Sequence, residues 1–142
     1  NGHSIAAYGI AAHEVGHAIQ HSKHYAPLEM RNLIFPVANF GAKFVWVLVL
    51  LGFFMQNYTI IQYGVLLYVG VVIFQIITLP VEFNASSRAI TQLEVNNLLY
   101  TDEIPKARKV LSAAALTYVA ATLVAIAQLL RLLVISGYGR RD

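Results

Sequence analysis

Three long stretches of this chain are almost free of charge, and no other feature narrows the available folds so far. From Pro36 to Gln56 the one charged residue is Lys43, from Ile60 to Pro80 there is none, and from Val110 to Ile135 the exception is Arg131. A helix needs roughly 20 residues to cross a hydrocarbon core of about 30 Å. Each stretch is long enough, and Lys43 stands where a long side chain can reach back to the interface. The composition agrees: 58% of the 142 residues are hydrophobic and 12% are charged, well to the apolar side of an ordinary soluble domain. The expectation is an all-α membrane protein with three transmembrane helices, spanning approximately 36–56, 60–80 and 110–135, plus a membrane-proximal pair of helices.

The remaining segments carry the polar chemistry. SIAAYGIAAHEVGHAIQHS, residues 4–22, predicts a helix capped by Ser4, in which Gly9 and Gly16 serve close packing. The stretch 23–35 mixes charge with large apolar residues and suits the headgroup boundary. Asn57, Tyr58 and Thr59 read as a turn, and residues 81–100 as a helix outside the bilayer, with Pro80 marking a junction or kink. In the third span Ala113, Thr117, Ala121 and Ala125 recur every fourth residue, a face on which membrane helices can approach closely.

Charge sets the orientation. Lys23, Arg31, Arg88, Lys106, Arg108 and Lys109 gather on the side holding residues 1–35 and 81–109, against Arg140 and Arg141 in the tail, so that side is expected in the cytoplasm of a cell-membrane protein. The net charge of +3 fits basic residues at membrane edges, and no interleaving of aromatic and basic residues favours a nucleic-acid partner. The chain starts at Asn1 with no signal-peptide pattern, which predicts a single membrane domain over residues 1–142 that lacks an upstream region. With no cysteine, disulfides and thiolate chemistry are excluded, and any metal must be held by His, Asp or Glu.

His13-Glu14-Val15-Gly16-His17 is an H-E-x-x-H motif. On a helix its spacing puts both imidazoles on one face, one turn apart, where they can bind one Zn2+ ion. Glu14 borders that site and can take a proton from a water that the ion has acidified, then return it to the leaving amine. The bland alternative is a chance pentapeptide whose histidines satisfy hydrogen bonds. Two imidazoles and a carboxylate beside a membrane segment are costly to bury without a partner, and a divalent cation supplies one.

A catalytic zinc site needs a third protein ligand and an open position. His21, His24 and Glu82 are the candidates. His21 follows His13 by eight residues, a rise of about 12 Å along a helix, too far to close on the same ion. In the longer pattern H-E-x-x-H-x-x-G-x-x-H the last two positions fall on Gln20 and Lys23, which leaves His24 out of register. Glu82 follows the uncharged span that brings the chain back to this side, and Ala85, Ser86 and Ala89 share its helical face, open to close packing against Ala12 and Gly16. Glu82 is therefore the expected third ligand; the alternative is a solvated carboxylate at a helix start.

The runs SIAAYGIAAHEVGHAIQH, APLEMRNLIFPVANFG, LPVEFNASSRA and VLSAAALTYVAA resemble the YugP-type neutral zinc metallopeptidases of bacterial membranes, over nearly the whole chain. The resemblance implies zinc-dependent endopeptidase activity at the cytoplasmic membrane, with His13 and His17 as ligands, Glu14 as base and Glu82 as third ligand. The EFNAS stretch is also similar to the E-x-x-A-D element of the HtpX-type membrane proteases, with Ser86 in place of Asp. A neutral hydroxyl is a weaker partner for a ligand histidine than a carboxylate.

Ser86, His21, Arg88, Asn84, Tyr8 and His3 are the candidates for supporting the ligands or stabilising an oxyanion, although Arg88 lies off the Glu82 face and an ordinary surface role suits His3 and His24. The substrate expected is a peptide or membrane-protein segment in contact with the lipid bilayer. The rival readings are a catalytically inactive scaffold or adaptor with a structural metal, and an ion transporter; nearly charge-free spans argue against transport.

Overall fold

The structure, a computed structural model, describes the backbone of residues 2–137 and the side chains of residues 5–137, so the expectations for the side chains of His3, Arg140 and Arg141 lie outside what is described, while the first helix begins at Gly2, two residues before the expected cap at Ser4. Four helices account for nearly all of it: α1 (Gly2–Ser22), α2 (Ala26–Phe54), α3 (Tyr58–Val95) and α4 (Ile104–Ile135). Among the described residues there is no strand. By length and composition α2, α3 and α4 are each able to cross a membrane. The fold class is the one expected from the three apolar stretches.

The helices are longer than those expected. Pro36, the expected first residue of a span, lies inside α2, and Pro80, expected at a junction or kink, lies inside α3. A proline removes one backbone hydrogen bond and crowds the preceding turn. Ending a helix in apolar surroundings would strand several more groups, so the helix continues through it. The expected spans 60–80 and 110–135 lie within α3 and α4, and 36–56 overruns α2 by two residues.

The helix ends obey local rules. His24, Gln56 and Asn97 have positive φ (53°, 51° and 51°), and the next amide folds back in each case: Tyr25 N to Gln20 O, Asn57 N to Gly52 O, Leu98 N to Leu93 O. These are Schellman closures with a non-glycine residue in the left-handed position. Asn57 then caps α3, its Oδ1 accepting from Thr59 N at 3.0 Å.

The chain divides into two compact units. One, residues 1–29 with 78–119, holds α1, the C-terminal part of α3 and the N-terminal part of α4. Its core gathers Ile5, Ala12, Ala89, Ile90, Leu93, Ile104, Ala107 and Leu111. Gly16 lies against the α3 backbone, where a side-chain carbon would collide with the Ala85 carbonyl. The other unit, residues 30–77 with 120–142, packs Val45, Val49, Val65 and Leu132 together. There Gly41 fits against the carbonyl of Leu67, and Gly52 against Ile61.

One expected packing face is corrected. Of Ala113, Thr117, Ala121 and Ala125, only Ala125 is buried. The buried side of α4 runs instead through Ala107, Leu111, Ala115 and Thr122, because the larger Leu111 contributes more apolar contact than a purely small stripe would.

Candidate metal centre

α1 contributes two histidines and α3 one glutamate. His13 and His17 are one helical turn apart, with ring centroids 4.7 Å apart and planes at 89°. The Gly16–Ala85 contact lets α3 come close enough to bring Glu82 between them. Glu82 Oε2 lies 2.9 Å from His13 Nε2, and Oε1 lies 3.4 Å from His17 Nε2. One donor atom from each of the three residues lies within 4.8 Å of the others.

This donor set fits zinc. Ligands about 2.0–2.1 Å from a tetrahedral ion stand roughly 3.3 Å from one another, and the three donor atoms here, all within 4.8 Å of one another, need only a small closure to reach that spacing. Two imidazole nitrogens and a carboxylate are zinc donors of the catalytic kind, and the set leaves a fourth position open. The Glu82 side chain is only 4% exposed, and a carboxylate so placed requires a cation or a protonated imidazole beside it. In keeping with this, the Glu82 carboxylate raises the His17 pKa above its usual 6.5; burial opposes the shift, and Gln20 and the charges of Glu82 and Glu14 add to it.

The ring nitrogens facing away from Glu82 are also held. His13 Nδ1 lies 3.0 Å from Ser86 Oγ, and His17 Nδ1 lies 2.9 Å from Gln20 Oε1. Fully buried Gln20 donates from Nε2 to Val81 O (2.8 Å) and to Asn84 Oδ1 (3.0 Å). Arg88 Nε donates to the same Asn84 oxygen at 2.7 Å, and its guanidinium carbon stands 5.7 Å from the centre of the Tyr25 ring.

Of the residues singled out from sequence, the structure thus brings together His13, His17, Glu82 and Ser86. Asn84 and Arg88 sit one and two hydrogen bonds beyond Gln20. Glu14 is exposed on α1, with its charge acting on His17. Tyr8 and His21 are exposed and outside the three-residue cluster, and exposed His24 pairs with Glu29 at 3.0 Å.

Sequence reasoning missed Gln20, noticing it only as a mismatch to a glycine in the longer pattern. Its position, three residues past His17 and seven past His13, on the same helical face, was the available signal. It also missed a cavity of about 120 Å³ beside the cluster, whose walls are His13, Glu82 and Ser86 on one side and Leu111, Ala115 and Tyr118 among those on the other.

Residues 1–137 match the family described as “putative neutral zinc metallopeptidase”, and the chain belongs to that family. It is 48% identical over 141 residues to the “putative membrane protease YugP” of Bacillus subtilis (strain 168), covering 99% of this chain. The chain spans 63% of the length of that relative. No solved structure matches it.

Proposed function

We propose that this chain forms the catalytic part of a multi-pass, zinc-dependent endopeptidase of the cell membrane, acting on the cytoplasmic side. The observation that carries the reading is the meeting of His13, His17 and Glu82, from two helices, within reach of a single ion. His13 and His17 would present their Nε2 atoms and Glu82 its carboxylate. When bound, zinc supplies Lewis acidity that lowers the pKa of water toward neutrality and polarises a carbonyl. Glu14, adjacent in sequence to His13 and free of the ligand set, takes the proton from the attacking water and passes it to the leaving amine.

The neighbouring cavity supports a peptide substrate with an aliphatic side chain beside the scissile bond. Its volume, about 120 Å³, is somewhat below the roughly 150 Å³ that admits a benzene molecule. The excess of Lys and Arg around the first unit supports the cytoplasmic side. Glu14→Gln separates binding from chemistry. Purified variant protein should keep its zinc while proteolysis falls by at least the roughly 10²–10⁴-fold that general-base catalysis supplies. Cleavage at the wild-type rate by this variant would rule out Glu14 as the base.

A further inference from the structure

We infer that Gln20, its amide oriented by the Val81 carbonyl and by the Arg88–Asn84 pair, is a positioning residue for His17, fixing the imidazole with its proton on Nδ1 and the Nε2 lone pair facing Glu82. The inference rests on the reading of this cluster as a metal centre, and it extends that reading to residues that touch no ligand atom of the ion.

The assignment follows from which atoms are able only to donate or only to accept. A guanidinium has no acceptor, so the Asn84 atom 2.7 Å from Arg88 Nε must be the amide oxygen. That oxygen is 3.0 Å from one terminal atom of Gln20, which must therefore be the donating NH2 group. The backbone carbonyl of Val81, an acceptor only, lies 2.8 Å from the same atom and demands the same answer. The other terminal atom of Gln20 is then its carbonyl oxygen, 2.9 Å from His17 Nδ1. Only a protonated Nδ1 satisfies it. The orientation of two amides and the tautomer of one imidazole are thus decided by groups with no freedom of their own, and not by how the amide atoms are assigned.

His13 differs in kind. Its Nδ1 faces the Ser86 hydroxyl, which both donates and accepts and accommodates either tautomer. On the ring side away from Glu82, His17 is thus fixed by its partner and His13 is not; the metal-free proton of His13 is set instead by the Glu82 carboxylate, 2.9 Å from its Nε2. The local fold builds this in. Left-handed His24 turns the chain so that Tyr25 N bonds to the Gln20 carbonyl and the Tyr25 ring lies against the Arg88 guanidinium. The cationic end of the relay is thereby held in place.

The test uses the full chain in detergent, 15N-labelled at histidine and stripped of metal, with imidazole tautomers read from 15N–1H correlations at a pH where His17 is neutral. Wild type should show His17 as the Nδ1–H form. Gln20→Leu, which removes the acceptor from Nδ1, should shift it toward the Nε2–H form without moving His13, while Ser86→Ala should alter His13 alone; Asn84→Leu and Arg88→Met, which leave the Val81 carbonyl on Gln20, should shift it less than Gln20→Leu does. Asn84→Asp still accepts from both Arg88 and Gln20, so it should preserve the wild-type pattern. Zinc affinity should follow: a loss of about 10–100-fold for Gln20→Leu, and little for Asn84→Asp. An unchanged His17 tautomer in Gln20→Leu overturns the relay, as does Asn84→Asp behaving like Gln20→Leu. Tautomer shifts as described in a protein that binds no zinc would leave the relay standing and overturn the metal reading instead.

Discussion

At the scale of single residues, the cluster balances one buried carboxylate against two imidazoles. Protons and metal compete for the same nitrogens, and their pH dependences run in opposite directions. In the metal-free protein the raised pKa of His17 contributes stability that is fully present below its unfolded value of about 6.5 and is lost as pH rises through the folded value. Zinc requires the deprotonated ring, so its binding gains where the proton's contribution fades. Apparent zinc affinity, measured by competition with a chelator across pH, should fall by about tenfold per pH unit for each proton displaced once pH drops below the His17 pKa. A flat profile through that region would mean that His17 is not a ligand. The H-E-x-x-H residues and Glu82 were legible from sequence because helical spacing and chain return are one-dimensional properties. Gln20 was not, because its partners Val81 and Asn84 are more than 60 residues away and only the folded contact shows that its amide is buried.

At the scale of elements, the approach of α1 to α3 decides whether the cluster exists. Gly16 leaves no room for a β-carbon against the Ala85 carbonyl, whereas a β-carbon at Gly9 would make ordinary contacts of 3.9–4.0 Å with Leu111. The two glycines of one helix should therefore respond differently. Gly9→Ala should be neutral or stabilising by up to about 1 kcal/mol through helix propensity. Gly16→Ala should cost about 1–3 kcal/mol through overpacking and should weaken zinc binding as Glu82 is pushed away. Thermal unfolding and zinc titration of the two variants check this, and equal behaviour would refute the role given to the close contact. Element type and number could be read from the charge-free stretches, while element ends could not. Pro36 and Pro80 carry the local signature of a break, but continuous apolar residues on both sides keep the helices intact. The four-residue stripe on α4 misled for a related reason: small residues permit close packing, but the chain's own contacts choose which face is used, and here Leu111 draws that face toward Ala107 and Ala115.

At the scale of the whole molecule, the exposed apolar side chains of the long helices, among them Leu33, Phe54, Leu66 and Val134, are the surface expected of helices that face lipid. Membership of the zinc metallopeptidase family agrees with a centre built only from nitrogen and oxygen donors. The account depends on one ion being shared by α1 and α3. Zinc stoichiometry and affinity of the purified chain, compared between wild type and Glu82→Ala with helix content monitored by circular dichroism, test this most directly. Wild type should bind one zinc per chain, and the helical variant should lose more affinity than the roughly 10–100-fold expected for removing a supporting partner. A helical Glu82→Ala protein that holds zinc as tightly as wild type would contradict the account.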